Sequence, residues 1–322
     1  MRLDRAAESL PPAMPTADRI LVIKLGALGD FVLALGPAAA IRSHHRQSHI
    51  TLLTTAPLAE LAGRAPYFDE IWVDERPRLW APRALLKLRR RLRTAGFSRV
   101  YDLQTSDRSS AYFRLLGPGR RPEWSGIARG ASHRHDNPQR DLMHTVERQA
   151  EQLRCAGILA VPAPELGWAA SPIARFGLAA PFILLVPGGA AHRPEKRWPA
   201  DRYAALAARI AAAGIVPVIL GGPAEAALGA AIVRAVPAAR DITAATTFGE
   251  IIGLARAARH AVGNDTGPMH LVAAAGCAAS VLFSAASDPA LTAPRGRAVV
   301  ILRRVPLAAL TVEEVAATLP FG

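Results

Sequence analysis

The stretch RILVIKLGALGD, residues 19–30, joins an apolar run to a glycine-rich turn, and the helical pattern FVLALGPAAAIRSHH follows it directly. A short run rich in Ile, Leu and Val is typical of a strand buried on both faces. Strand, glycine turn and helix in this order predict the opening of a βαβ unit. The stretch therefore predicts an α/β fold built on a parallel sheet.

The same alternation continues along the chain. Strand-like runs recur at ITLLT, EIWV and RVYDL and, after a Pro-rich segment, at FILLV, IVPVILG, HAVG, ASVLF and VVILR. Because 322 residues exceed one ordinary domain, we expect two doubly wound domains. The expected division is a mobile leader (1–18), an N-terminal domain (19–165), a linker (166–181), a C-terminal domain (182–305) and a C-terminal helix (306–322) that packs back on the N-terminal domain.

Composition restricts the class of protein. Hydrophobic residues make up 51% of the chain and charged residues 20%, which fits a globular protein and excludes a disordered one. No apolar run approaches the roughly 18 to 20 residues that span a bilayer, and the first 18 residues lack the apolar region of a signal peptide. We therefore expect a cytoplasmic protein. The formal charge of +13 favours a negatively charged partner, such as nucleic acid, anionic lipid or a sugar nucleotide.

The pattern of cysteines and histidines indicates no metal site. Cys155 and Cys277 have the spacing of neither a disulfide framework nor a CxxC motif. The histidines His133, His135 and His144 lie in an irregular segment without the spacing of metal ligands. We expect no bound metal.

The octapeptide GNDTGPMH, residues 263–270, lies between an apolar strand and an apolar helix. Ligands of parallel sheets bind beyond the carboxyl ends of strands, and the first N–H groups of a helix attract anions. The candidate phosphate ligands are the amides of Thr266, Gly267 and Met269. Alternatively, Asp265 or Thr266 only caps the helix. Capping explains one polar residue but not the whole set, so we favour a binding site. That set comprises Asn264, Asp265, Thr266 and His270.

The segment PGGAAHRPEKRWP, residues 187–199, also follows a strand. Its glycines, Gly188 and Gly189, permit close approach of the backbone to a ligand. Lys196 and Arg197 supply positive charge, and a lysine suits a diphosphate as a flexible point charge. The alternative interpretation is a solvated basic loop before a helix.

Two further turns end in a carboxylate. GALGD lacks the GxGxxG and GK[ST] patterns, so it predicts neither a dinucleotide fold nor an ATPase. Its Asp30 either caps the next helix or accepts a proton as a general base, and the residues favour neither. In GGPAE, Glu225 either accepts the hydroxyls of a ribose or begins the next helix as a favourable charge.

Residues 83–121 carry eleven Lys or Arg against two Asp. Within them, RALLKLRRRLR has helical spacing with Leu85, Leu88 and Leu92 on one side, which predicts a basic amphipathic helix. Such a helix lies on an anionic membrane or a phosphorylated ligand, or it covers the core with its apolar side. The sequence leaves both possibilities open.

Taken together, four motifs resemble glycosyltransferase family nine, the bacterial lipopolysaccharide heptosyltransferases, over residues 19–294. The motifs are VIKLGALGDFVLALGPAAAIR, PGGAAHRPEKRWPADRYAALAARI, VILGGPAE and AVGNDTGPMHLVAAAG, followed by DPALTAP. The resemblance implies the GT-B architecture, in which two Rossmann-like domains face a cleft and the C-terminal one binds the donor. It further implies metal-independent and inverting transfer from ADP-heptose to a lipopolysaccharide core, without a cofactor. The basic N-terminal half would then face the inner membrane and the acceptor phosphates.

The resemblance also implies roles for single residues. Asp30 would be the general base on the acceptor side, together with Gly26 and Gly29 of its turn. Lys196 would neutralise charge on the departing ADP. The other implied donor-binding residues are Gly188, Gly189, Gly222, Glu225 at the adenosine ribose, Asn264, Asp265 at the donor sugar, Thr266 and Gly267 at the phosphates, and His270 in support of the loop.

One loop departs from the family pattern, and other functions remain alternatives. Where family members often have Gly-Pro-Thr before the DP pair, this chain has Ala285, Ala286 and Ser287. The alternatives are transfer of another sugar, transfer to a protein, or an inactive protein that binds nucleotides or nucleic acid. The chain contains no helix-turn-helix, RNP or zinc-finger signature, which disfavours nucleic acid.

Overall fold

A computed structural model describes residues 18–78, 80–117, 119, 121–178, 181–189 and 192–321. Within these residues the strands form two six-stranded sheets, and all neighbouring strands are parallel. The expected pair of α/β domains with doubly wound parallel sheets is confirmed. Residues 1–17 of the expected leader lie outside the described part of the chain.

The first sheet is built from the N-terminal half of the chain. Its strands are β1 (Arg19–Ile23), β2 (His49–Thr54), β3 (Glu70–Val73), β4 (Arg99–Asp102), β5 (Glu123–Gly126) and β6 (His133–Arg134), in the order β3-β2-β1-β4-β5-β6. The helices of this half are α1 (Leu28–Leu33), α2 (Leu35–His44), α3 (Ala56–Gly63), α4 (Pro82–Thr94), α5 (Asp107–Leu115) and α6 (Thr145–Cys155).

The second sheet repeats this organisation. Its strands are β7 (Phe182–Val186), β8 (Val216–Ile219), β9 (Arg240–Asp241), β10 (His260–Asn264), β11 (Ala279–Phe283) and β12 (Val299–Arg303), in the order β12-β11-β10-β7-β8-β9. The helices are α7 (Ala200–Ala212), α8 (Ala226–Ala235), α9 (Phe248–Ala257), α10 (Gly267–Ala274), α11 (Pro289–Thr292) and α12 (Val312–Ala316).

Burial explains which strands the sequence predicts. Every residue of β7, β10 and β11 is buried, as expected for parallel strands covered on both faces. By contrast, β5, β6 and β9 were not predicted. Their sequences EWSG, HR and RD are short and lack an apolar run, so no periodic signal marks them.

Two helical predictions can be compared with the structure. In α7, the predicted stripe of Tyr203, Leu206, Ala207 and Ile210 is buried. The single helix expected after β1 is instead two helices, α1 and α2, which meet at Ala34. A proline inside a continuous helix would remove a backbone hydrogen bond and clash with the preceding turn, whereas in the first turn of α2 it costs no such bond. The Gly-Pro pair of FVLALGPAAA lies in that first turn.

The C-terminal helix packs on the second domain, contrary to the expectation that it returns to the first. Leu307 and Val315 are buried in one apolar cluster with Ile210 of α7. The carbonyl oxygen of Leu310 accepts a hydrogen bond of 2.9 Å from Nε1 of Trp198. The buried apolar side chains of this segment therefore cover α7 and the core of the second domain.

The predicted basic amphipathic helix is α4. Its side chains Leu88 and Leu92 are buried in a cluster with Trp72 and Phe97, and Leu85 is half-buried. The apolar side of α4 thus covers the core of the first domain. Among the described residues, no helix is both long enough and apolar enough to cross a membrane.

Polar contacts join the domains near the N-terminus of α6, among them the hydrogen bond of 3.2 Å from Oγ1 of Thr145 to the carbonyl oxygen of Leu291. Nε2 of His144 lies 3.0 Å from the carbonyl oxygen of Ala293, and Nη2 of Arg295 donates to Oε1 of Glu147 at 2.7 Å. The expected linker also contacts the first domain, where Nη1 of Arg64 donates to Oγ of Ser171 at 3.1 Å.

Candidate active site

Helices α1 and α10 pack against each other where the two domains meet. A Cβ on Gly29 of α1 would lie 2.7 Å from Cδ2 of His270, and a Cβ on Gly267 would lie 2.9 Å from Cβ of Leu28. Both distances are shorter than carbon atoms tolerate, so only glycine allows this approach. Because each helix begins beyond the carboxyl end of its strand, the close contact brings the two loops to one place.

A cavity of about 600 Å³ opens at this place and is lined by both domains. Its volume is within the range of small-molecule sites. The residues singled out in the sequence that line it are Gly29, Asp30, Gly188, Gly189, Lys196, Gly222, Glu225, Asp265, Thr266, Gly267 and His270. The topology therefore brings together four loops that are far apart in the sequence.

Two of the three candidate amides at the start of α10 are open. Among the described residues, no acceptor takes the N–H of Thr266 or Gly267, whereas the N–H of Met269 donates to the carbonyl oxygen of Thr266 at 3.1 Å. Pro268 has no N–H. The expectation that the Met269 amide binds phosphate therefore does not fit the structure. The amides of Thr266 and Gly267 lie at the N-terminus of α10, where the helix dipole stabilises an anion.

The alternative that a side chain merely caps α10 is not realised in the described structure. Thr266 is the N-cap residue with extended backbone, yet its side chain accepts no capping hydrogen bond. Its Oγ1 is buried without a described partner. Asp265 is bonded to Lys196 and Ser287, so neither side chain caps the helix.

Asp265 and Lys196 form an ion pair inside the cavity. Nζ of Lys196 donates to Oδ2 of Asp265 at 2.7 Å, and the side chains are only 14% and 9% exposed. Oγ of Ser287 donates to the same oxygen at 2.5 Å. The substitution of Ser for the threonine of the family pattern therefore keeps a hydroxyl at this carboxylate. The positions of both side chains are fixed by their opposite charges and by hydrogen bonds, and their low solvent exposure strengthens this attraction.

Arg193 is a cavity cation that the sequence did not reveal. It lines the cavity, and its Nη1 lies 3.4 Å from the carbonyl oxygen of Ala286. No carboxylate of the described residues pairs with it, so its charge is not balanced locally. In the sequence it could not be distinguished from Arg197, which was noted, with Lys196, as a source of positive charge in this loop. Arg197 instead donates from Nη2 to the carbonyl oxygen of Gly189 at 2.5 Å and stiffens the loop.

Asn264 lies beneath the cavity and not in its wall. Its Oδ1 accepts hydrogen bonds from the amide of Trp198 at 3.0 Å and from the hydroxyl of Tyr203 at 3.1 Å. Its Nδ2 donates to the carbonyl oxygens of Pro187 and Gly188 at 2.8 and 3.0 Å. All of its side-chain hydrogen-bonding groups are therefore used by the protein. Asn264 was expected to contact the sugar-nucleotide donor. Instead, its side chain holds the loop after β7 in place.

Glu225 lines the cavity beyond the carboxyl ends of β7 and β8. Its Oε2 accepts the amide hydrogen of Gly222 at 2.9 Å, and its carboxyl group packs against Gly188, where a Cβ would lie 2.9 Å from Cδ. Only a glycine leaves room for the carboxylate at this position. The other carboxylate oxygen has no described donor, so it can accept a hydrogen bond from a ligand.

Asp30 is the third residue of α1 and not its N-cap, which is Ala27, but its side chain hydrogen-bonds to the backbone of the N-cap and the residue also lines the cavity. Its Oδ2 accepts the amide hydrogen of Ala27 at 3.2 Å, and the residue lines the cavity from the first domain. Oδ1 has no donor among the described residues and is available to a ligand hydroxyl. Gly26 lies behind this turn with φ of +128°, a backbone conformation that favours glycine, and does not line the cavity.

His270 lies between the two carboxylates of the cavity as a neutral group. Burial lowers its pKa to about 4, and the nearby carboxylates of Asp265 and Asp30 only partly oppose this effect. Its Nδ1 is buried without a described partner. The imidazole therefore carries no charge at neutral pH and fills the contact between the domains.

The described residues contain no group of three or more His, Cys, Asp or Glu that could hold a metal ion. The histidines of the irregular segment lie apart from the cavity in separate contacts. Nε2 of His135 lies 3.6 Å from Oε1 of Glu151, and Nε2 of His133 lies 3.7 Å from Oε2 of Glu123.

The chain is similar to known proteins over most of its length. Residues 85–314 match the family model described as glycosyltransferase family 9 (heptosyltransferase). The fold is similar to ADP-heptose lipopolysaccharide heptosyltransferase II of Escherichia coli, with 23% identity, a TM-score of 0.76, and coverage of 93% of this chain and 97% of that chain. For a family 9 glycosyltransferase of Veillonella parvula, the identity is 21% and the TM-score 0.79, over 95% of this chain and 97% of that chain.

A third similar structure is that of the heptosyltransferase WaaC of Escherichia coli with ADP. It is 18% identical to this chain, with a TM-score of 0.73 over 93% of this chain and 98% of that chain. No curated protein sequence matches this chain at a significant level. The likeness to these structures shows that the chain has the GT-B fold of the heptosyltransferases.

Proposed function

The chain belongs to glycosyltransferase family 9, the heptosyltransferases, and we propose that it transfers heptose from ADP-heptose to a lipopolysaccharide core with inversion at the anomeric carbon. One observation carries the proposal. Asp30 of the first domain and the open amides of Thr266 and Gly267 of the second line a single cavity. A base on one side and an anion site on the other are the groups that transfer from a sugar diphosphate needs.

The proposed reaction is a single displacement. The acceptor hydroxyl attacks the anomeric carbon on the side opposite to ADP, and Asp30 takes the hydroxyl proton. The new carbon–oxygen bond forms as the bond to the phosphate oxygen breaks, which inverts the configuration. The electron pair of the broken bond leaves with ADP, and the amides of Thr266 and Gly267 stabilise its charge together with Lys196.

The donor would lie across the second domain. In this arrangement Glu225 accepts a ribose hydroxyl through its free oxygen, and Asp265 accepts a hydroxyl of the heptose. The ion pair with Lys196 fixes the Asp265 carboxylate before the donor arrives, which lowers the cost of ordering it on binding. ADP is proposed as the nucleotide because the similar WaaC structure contains it.

We also propose that transfer needs no bound metal or cofactor. The charge of the diphosphate can be balanced by Lys196, Arg193 and the two open amides, all of which line the cavity. Transfer measured in EDTA should then equal transfer in Mg²⁺. Loss of activity in EDTA that Mg²⁺ restores would contradict this part of the proposal.

The acceptor would be linked to lipid at the cytoplasmic face of the inner membrane. Residues 83–121, with eleven Lys or Arg against two Asp, belong to the first domain, which contributes Asp30. Positive charge on the side of the base favours an acceptor that carries phosphates.

The proposal is tested by titration calorimetry and by a transfer assay. We expect the protein to bind ADP in preference to UDP and GDP, and to transfer heptose from ADP-heptose to a core acceptor. Preference for another nucleotide would contradict the proposal that ADP-heptose is the sugar donor. Absence of any nucleotide binding, with retention on DNA or RNA, would favour the inactive nucleic-acid-binding alternative.

A further inference from the structure

Helix α4 has an outward face that the packing of the core does not explain. The exposed residues on it are Arg83, Leu86, Lys87 and Arg90. Their spacing of three, four and seven residues places them on one side of the helix, away from the buried Leu88 and Leu92. Leu86 is 59% exposed and lies between cations.

A second large apolar side chain lies just before the helix. Trp80 is 76% exposed, and the guanidinium carbon of Arg78 lies 5.6 Å from the centre of its ring. We call Trp80, Arg83, Leu86, Lys87 and Arg90 the α4 surface. A tryptophan and a leucine among Lys and Arg are the composition of helices that lie in a membrane interface.

The α4 surface keeps most of its positive charge. Among the described residues, the one carboxylate that contacts it is Glu75, whose Oε1 lies 3.4 Å from Nζ of Lys87. Both side chains are more than 70% exposed, so this pair is weak and leaves the charges of Arg83 and Arg90 unbalanced. The surface is therefore complementary in charge to a layer of anionic phosphates.

The position of the α4 surface relates it to the cavity. The segment before α4 follows the carboxyl end of β3, at the same sheet edge as the turn that carries Asp30. Nη2 of Arg76 donates to the carbonyl oxygen of Leu25 at 2.8 Å, and Nη1 of Arg108 donates to that of Pro77 at 3.0 Å. The first bond attaches the segment before Trp80 to the turn that carries Asp30, and the second attaches it to α5.

We propose that the α4 surface docks the protein on a bilayer that contains anionic phospholipid. Trp80 and Leu86 enter the headgroup layer, and Arg83, Lys87 and Arg90 bind lipid phosphates. Docking itself is independent of the reaction, whereas its purpose, to bring Asp30 near a lipid-linked acceptor, rests on the proposed function. Nucleic acid would account for the cations but gives no role to the exposed Leu86, so a bilayer explains more of the surface.

The test is co-flotation of the full chain with vesicles of phosphatidylglycerol and phosphatidylethanolamine, with phosphatidylcholine vesicles as the uncharged reference. Replacing Arg83, Lys87 and Arg90 together by Gln should weaken partition to the anionic vesicles about 100-fold, since each cation near the surface contributes roughly a factor of five. The double variant Trp80→Ser with Leu86→Ser should weaken it by about tenfold. Bromine-labelled lipid should quench the fluorescence of the parent and not of Trp80→Phe.

Matched controls separate a local surface from general charge. Arg234, Arg240 and Arg259 are exposed in the second domain, and their joint change to Gln removes the same charge. Leu159→Ser removes a leucine that is 77% exposed elsewhere. Neither control should change partition, and all variants should bind ADP as the parent does. Equal loss in variants and controls, no binding to anionic vesicles, or α4 variants that lose RNA binding but not vesicle binding would each overturn the proposal. ADP titration of the same samples tests the proposed function separately.

Discussion

Gly29 of the first domain lies against the buried imidazole of His270 in the second, and a Cβ at position 29 would be 2.7 Å from Cδ2 of that ring. We expect Gly29→Ala to lower the free energy of unfolding by about 1–3 kcal/mol, because the added methyl must push the two helices apart. Transfer should fall as well, since Asp30 follows Gly29 directly. Urea denaturation and the transfer assay measure both effects.

Gly63→Ala is the matched control for this prediction. A Cβ at Gly63, the last residue of α3, would meet no atom within 4 Å. This change should leave stability the same or raise it slightly, since alanine restricts the unfolded chain. If Gly29→Ala behaves like Gly63→Ala, the close contact between the domains is not as the structure has it.

Asp30→Asn should separate binding from chemistry. Asparagine keeps an oxygen that can accept the amide hydrogen of Ala27, so the turn should remain folded. It cannot take a proton, and we expect the turnover number to fall about 10²- to 10⁴-fold, while ADP affinity changes little. Asp107→Asn, in the first turn of α5, is the control and should retain activity. If Asp30→Asn transfers heptose as fast as the parent, Asp30 is not the general base.

Arg193→Gln should weaken the binding of ADP more than that of adenosine. Arg193 carries a charge that no described carboxylate balances, so it is available to the diphosphate. The loss of one charge-assisted contact predicts about tenfold weaker binding of ADP by calorimetry. Arg234→Gln, an exposed arginine of the second domain, is the control. Equal weakening of ADP and adenosine by Arg193→Gln would mean that the side chain acts through the shape of the loop.

Stability should fall as the pH drops from about 6.5 towards 4, partly because of His270. The ordinary pKa of histidine is 6.5, and burial lowers that of His270 to about 4 in the folded protein. Between these values the unfolded chain binds a proton that the folded chain does not, so stability is full above pH 6.5 and is lost on acidification. The expected loss from His270 is about 3 kcal/mol between pH 7 and 4.

Denaturation curves of the parent and of His270→Gln at several pH values measure this dependence. The variant should lose less stability on acidification than the parent. The exposed His192 provides the control His192→Gln. If the free energy of unfolding depends on pH in the same way for the parent and for His270→Gln, the imidazole is not buried in its neutral form in solution.

Much of the fold could be predicted because buried parallel strands and amphipathic helices leave a periodic signal. FILLV and ASVLF were identifiable as strands, and the stripe of α7 gave its buried face. The packing of α12 could not be predicted, because it depends on which surface lies nearby in three dimensions, whereas the break between α1 and α2 has a local cause, the Gly-Pro pair of FVLALGPAAA, which the helical pattern concealed. The two-residue strands β6 and β9 are defined only by pairing with a neighbour.

The candidate site divides in a similar way. Asp30, Glu225 and Asp265 were identifiable because polar residues that follow parallel strands tend to meet at one sheet edge. The side to which a residue points was not identifiable. Asn264 ends β10 with its amide turned towards Trp198 and Tyr203, and Arg193 faces the cavity while Arg197 does not. The sequence does not show which of several neighbouring polar residues in a loop points its side chain into the cavity.

The tight contact of α1 with α10 also limits how a substrate can enter. The glycines at positions 29 and 267 leave no side chain between α1 and α10, so a shift of one domain along this contact would bring their atoms into collision. The contacts of His144 with Ala293 and of Arg295 with Glu147 also join the domains and would break if the domains separated. A substrate must therefore reach Asp30 and the start of α10 through the opening of the cavity and not between these two helices.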